Sequence, residues 1–169
     1  MNLIKPLNRL TAKLLDRGFT LLEVILVIAI LAIISTTSFS YLGGFKTSSE
    51  LDETAGQIVG KLREAQSKAM TGEDGKKWGV HFDNAGTDSS YDFFSTTNSY
   101  ASGSTIVETI YLTHLAQGVT FSMPAAGQSV DVIFSKITGV PAVAQNVVIS
   151  LQNSTKTIIV ETSGRIHVQ

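Results

Sequence analysis

From Val24 to Ile34 every residue of the chain is apolar, and the segment extends to Phe19 upstream and Leu42 downstream with only Ser and Thr as uncharged polar guests. As a helix rising about 1.5 Å per residue, residues 19–42 run about 36 Å, enough to cross a hydrocarbon core of about 30 Å with some tilt. Lys5, Arg9, Lys13 and Arg17 precede the segment with Asp16 among them, and the body after it carries more carboxylates than basic groups. The positive-inside rule therefore predicts a cytoplasmic N terminus and an extracytoplasmic body. A secretory signal peptide would have a shorter apolar core and a cleavage site of Ala-x-Ala type, which Ser35–Ser40 does not offer.

The rest of the 169 residues leaves room for one modest folded domain. The chain has no cysteine, so packing alone must hold that domain and no disulfide, thiolate metal site or cysteine nucleophile is available. A net charge of −1, without clustered Lys or Arg in the body, argues against a nucleic-acid surface.

Glu23 is the feature that a plain signal anchor leaves unexplained. A carboxylate in a membrane span costs about 2.5–3.5 kcal/mol at mid-bilayer, less near the interface, and marks a functional position. One account is local: Thr20-Leu21-Leu22-Glu23 has the spacing of a capping box, with Thr20 at the N-cap and Glu23 reaching back to a free backbone N–H. The other rests on a resemblance. Arg17-Gly18, then Phe19-Thr20-Leu21-Leu22-Glu23, then the unbroken apolar run, resembles the class III signal of type IV prepilins and type II secretion pseudopilins.

That resemblance implies cleavage after Gly18 by a membrane-embedded prepilin peptidase, N-methylation of the new amine on Phe19, and filament assembly through the apolar helix with Glu23 facing the Phe19 amine of a neighbour. Such a pair would set the stagger of the helices more than add stability, because desolvation offsets much of the attraction. The implied organisation is a basic leader at 1–18, a transmembrane and assembly helix at 19–42 in contact with lipid, an amphipathic second half at 43–71, and a β-rich head at 72–169. Many filament subunits of this class have a proline in the middle of the long helix. Here the prolines are Pro6, Pro124 and Pro141, so a kink would have to come from Gly43-Gly44.

Beyond the glycines, Leu51, Ala55, Ile58, Leu62, Ala65 and Ala69 recur at helical spacing, with Gln57, Lys61, Glu64 and Lys68 on another face and Glu64/Lys68 placed to pair at i, i+4. Mixed charges on the polar face fit a helix packed on its own sheet rather than on a membrane surface. The cluster Gly72-Glu73-Asp74-Gly75 should end it. Trp78, Val80 and Phe82 then alternate, followed by strand candidates at Tyr91–Phe93, Thr105–Leu112, Val119–Met123 and Val130–Phe134. Asn146–Leu151, Thr155–Val160 and Arg165–Val168 read as an antiparallel meander, while Ser95–Thr105, with Ala101-Ser102-Gly103-Ser104, reads as a mobile loop. The fold class is α+β: a long N-terminal helix on an antiparallel sheet, as in pilins. Leu62-Arg63-Glu64-Ala65-Gln66-Ser67-Lys68-Ala69-Met70 and the closing Ser163-Gly164-Arg165-Ile166-His167-Val168 resemble the minor pseudopilin H family, which includes the FimT-like minor pilins.

No catalytic, cofactor or metal site is expected. His81, His114 and His167 lie far apart without metal-ligand spacing, and no nucleophile elbow, phosphate loop or dinucleotide fingerprint is present. Asp83-Asn84-Ala85-Gly86-Thr87-Asp88, with Asp92 nearby, offers oxygen ligands for calcium but lacks EF-hand spacing, and Asx-rich turns between strands are common. The expected function is structural: a minor pseudopilin of a type II secretion pseudopilus, with prepilin peptidase, other pilin-like subunits and the inner-membrane assembly platform as partners. A minor pilin of a type IV pilus shares residues 1–42, and neighbouring genes for a secretin or for a retraction ATPase would separate the two. An uncleaved membrane-anchored binding module is the alternative of another class.

Overall fold

The period-3.6 pattern and the apolar run before it form one helix, α1, from Leu21 to Thr71 in the computed structural model. The structure describes residues 18–86 and 88–169, with side chains outside 37–45; the basic leader before Gly18 and Thr87 of the acidic loop lie outside the described residues. The helical assignment runs on through Gly43 and Gly44, and the chain divides there into two compact units, 1–43 and 44–169. In the second unit Leu51, Ala55, Ile58, Leu62, Ala65 and Ala69 are all buried, as their spacing requires. Gly72 ends the helix in the left-handed region at φ 68°, which a residue without Cβ adopts freely, and its N–H closes on the carbonyl of Ala69 at 3.1 Å.

After a single 3₁₀ turn at Glu73–Gly75 come β1 (Lys77–Asp83), β2 (Ser90–Ser99), β3 (Ser102–Tyr111), a short α2 (Leu112–Leu115), β4 (Thr120–Met123), β5 (Ser129–Phe134), β6 (Gln145–Leu151), β7 (Ser154–Val160) and β8 (Ile166–Val168). These strands make two antiparallel sheets rather than one: the first in the order β3-β2-β1-β5, the second β4-β6-β7-β8. The C-terminal meander is present as β6-β7-β8, with Val147 opposite Ile158 and Val160 opposite Ile166. Both sheets and α1 share one core, and Phe82 of the first sheet meets Phe121 of the second edge to face at 5.7 Å.

Two further sequence expectations change. The stretch 95–105 is not a loop: β2 continues to Ser99 and β3 begins at Ser102. The reason is Thr96, fully buried, whose hydroxyl donates to the carbonyl of Ser99 and accepts from the N–H of Asn98, closing a tight hairpin out of polar residues. Glu64 and Lys68 do not pair with each other. Lys61 takes Glu64 at 3.1 Å, while Lys68 reaches Glu73 past the helix end. Both lysines also pack on aromatic rings, Lys61 over that of Phe93 and Lys68 over that of Trp78.

The hairpin tip also builds a small second core on the outer face of the first sheet. Tyr100 folds back so that its ring stacks on His81 with centroids 3.6 Å apart and meets Phe94 edge-on at 4.9 Å. Phe94, fully buried although it points away from α1, sits over Gly79, its cross-strand partner. A Cβ at Gly79 would lie 2.5 Å from the carbonyl oxygen of Val132 and 3.0 Å from Phe94 Cζ. Gly79→Ala should therefore destabilise the body by about 1–3 kcal/mol through overpacking, read as a lower urea midpoint in Trp78 fluorescence.

Candidate functional site

The start of α1 is built from its own first residues. Gly18, Phe19 and Thr20 are non-helical and α1 begins at Leu21. Thr20 is the N-cap: its hydroxyl oxygen accepts from the N–H of Glu23 at 3.2 Å and its carbonyl accepts from Val24 N–H at 3.2 Å. This is half of a capping box. The other half is not formed, because among the described residues the Glu23 carboxylate has no hydrogen-bond or ion-pair partner. The side chain is exposed and lies with Phe19, Val24, Val27 and Ile28 around a shallow apolar hollow of about 270 Å³.

Every large apolar side chain from Phe19 to Ile34 is exposed, from 46% at Val24 to 82% at Phe19. A helix apolar all round, with none of that surface covered, requires an apolar environment or other helices. The Glu23 carboxylate is the only charged side chain in the sequence between Phe19 and Leu42.

Residues 14–39 match the prokaryotic N-terminal methylation motif. The match supports a subunit of the type IV pilin-like prepilin class, whose members are processed by a prepilin peptidase and assemble with other pilins. It brackets Gly18, Phe19 and Glu23. Comparison with curated proteins and with solved structures finds no match. Among the described residues no helix is long and apolar enough to cross a membrane; the apolar stretch whose side chains are described stops at Thr36.

The three histidines are not brought together. His81 is on β1, His114 on α2 and His167 on β8. His114 contacts the ring of Tyr111 edge-on at 5.4 Å. His167 Nδ1 is buried without a hydrogen bond, with Glu161 Oε1 3.6 Å away: within ion-pair reach, yet too long to satisfy the nitrogen. His81 belongs to a polar row that sequence reasoning missed. Thr109, Asp92, His81 and Asp131 stand opposite one another across β3, β2, β1 and β5. Thr109 donates to Asp92 at 2.5 Å, Tyr100 donates to the other oxygen of Asp92, and His81 Nδ1 meets Asp131 Oδ1 at 2.5 Å. Burial first, then the bond to Asp92, keeps the Tyr100 hydroxyl protonated well above the ordinary tyrosine range. The row fastens the hairpin tip to the sheet.

Among the described residues no group of three or more His, Cys, Asp or Glu is placed to hold a metal ion. Asp83 and Asn84 of the acidic loop have their polar groups engaged by the body itself. Asp83 accepts from the N–H of Ala85 in an Asx turn, and the Asn84 amide donates to the carbonyls of Phe121 and Pro124 while its oxygen accepts from Ser89. Asn84 thus ties the β1–β2 connection to β4.

Proposed function

We propose that the chain is a minor pseudopilin of a type II secretion pseudopilus, cut after Gly18, N-methylated on Phe19 and assembled through the first half of α1. Residues 19–42 hold the unassembled subunit in the inner membrane, with the leader in the cytoplasm and the body outside it. Its partners are the prepilin peptidase, the assembly platform and other pilin-like subunits, and its role is structural rather than enzymatic.

The observation that carries this reading is the Glu23 carboxylate, exposed and without a partner among the described residues at the head of an apolar run within the methylation motif. A charge in that setting calls for an opposite charge from another molecule, and the amine freed at a neighbour's Phe19 supplies one. What favours the pseudopilin H form is that the two segments resembling that family touch: Gln66 Nε2 donates to the carbonyl of Gly164 at 2.7 Å, and to that of Gly139 at 2.9 Å.

Mass spectrometry of the protein purified from membranes tests the reading. A chain starting at N-methyl-Phe19 is the expected species. A steady-state pool that still begins at Met1 would instead make the chain an uncleaved anchored module.

A further inference from the structure

Four strands form the outer edges of the two sheets, and three of them are shielded. β5 is bridged by Pro141 at Phe134, β4 has four residues and runs into Pro124, and β8 has three residues. The fourth, β3, is ten residues long, contains neither Lys nor Pro, and exposes Ile106 and Val107 by half or more. Among the described residues nothing pairs with its outer edge. Native proteins blunt such edges with Lys, Pro or shortness, because a row of free N–H and C=O groups templates another strand. Its ladder with β2 has two irregularities: a bulge at Val107, skipped between Phe93–Glu108 and Phe94–Ile106, and a shift at the hairpin end, where Gly103 is skipped between Thr96–Ser104 and Ser99–Ser102.

Beside this edge a groove of about 360 Å³ lies between β3 and α1, lined among others by Gln57, Gly60, Lys61, Glu64, Glu108 and Ile110. The space beside Gly60 is open, since a Cβ there would meet no atom within 4 Å. Lys61 is shared between Glu108 at 2.8 Å and Glu64 at 3.1 Å. The bond to Glu108, more than that to Glu64, holds the Lys61 ammonium above its ordinary range. One cation between two half-exposed carboxylates leaves the groove with surplus negative charge.

We propose that the free edge of β3, together with this groove, is a strand-addition site for an extended segment of a second, neutral-to-basic protein that places a Lys or Arg on the side facing α1. Main-chain hydrogen bonds along β3 provide the affinity and the Glu64/Glu108 pair selects the sign of the incoming strand. A second copy of this chain docking through its own β3 would bring another Glu108 to the same groove, so like charges oppose self-pairing. The site does not depend on the filament reading; an uncleaved chain would carry it equally.

The test uses the full chain in detergent micelles and a short peptide of alternating Thr and Val with a central Lys. The peptide should slow hydrogen exchange of the Ser102–Tyr111 amides and bind at least about tenfold tighter than the same peptide with a central Glu. Val107→Lys, at an exposed position outside the ladder, should weaken binding about tenfold or more with Tm unchanged. Glu108→Gln should erase the preference for Lys over Glu. Unchanged exchange in β3, equal binding of the two peptides, or concentration-dependent protection of β3 in the chain alone would each overturn the proposal.

Discussion

Exchanging Glu23 for Gln is expected to abolish incorporation into filaments while leaving the subunit inserted in the membrane at its normal level. The geometry at the start of α1 makes this exchange clean. Thr20 caps the helix through the main-chain N–H of residue 23, so the capping bond survives when the side chain loses its charge. On the proposed pairing, what is lost is the attraction between the carboxylate and a neighbour's terminal amine. Removing one partner of a buried pair costs about 3–5 kcal/mol, because the other charge is left unmatched in a low dielectric. An assembly assay scored beside a membrane-fractionation assay separates the outcomes: filaments of the Glu23→Gln variant at the wild-type level would rule out the charge pair, and loss of the protein from the membrane would assign Glu23 to folding or insertion.

Leu62→Ala is expected to destabilise the body by about 2–5 kcal/mol. Leu62 is fully buried within the core that α1 shares with both sheets, so its removal leaves a cavity that a helix clamped on either side by Ile58 and Ala65 cannot close. Met70, on the same helix but half exposed, is the control: Met70→Ala should change stability by no more than about 0.5 kcal/mol. Both values come from urea unfolding monitored at Trp78. Equal effects at the two positions would mean that the helix is not packed as described.

Much of this architecture was legible in the sequence because it rests on local periodicity. The buried stripe from Leu51 to Ala69 is set by spacing alone, and so are β1 and the strands of the meander. The N-cap at Thr20 was legible for the same reason, being a bond between residues three apart. What escaped depends on partners distant in sequence. Asp92, His81 and Asp131 are neighbours only because β2, β1 and β5 take a particular register, and alternation says which face a residue occupies without saying what stands beside it. The hairpin at Thr96–Ser102 was hidden by composition, since Ser, Thr and Asn suit a loop as well as a strand whose hydroxyls are buried and bonded. The Glu64/Lys68 expectation failed because Lys61 takes Glu64 and because Glu73, beyond the helix end, takes Lys68. At the N terminus the residues singled out in advance, Gly18, Phe19 and Glu23, sit together within the methylation motif, whereas the β3 edge carries no motif and emerges only once the strand order is known.

The way α1 is seated in the body bears on mechanical load. Tension applied to the body at Lys46 would run along the axis of the helix within it. Leu51, Ala55, Ile58, Leu62, Ala65 and Ala69 would then have to slide past the sheets together, while Gln66, bonded to the carbonyls of Gly139 and Gly164, would have to release two loops in the same movement. Loaded this way the interface is sheared, not unzipped. Its rupture force is set by the whole apolar stripe at once.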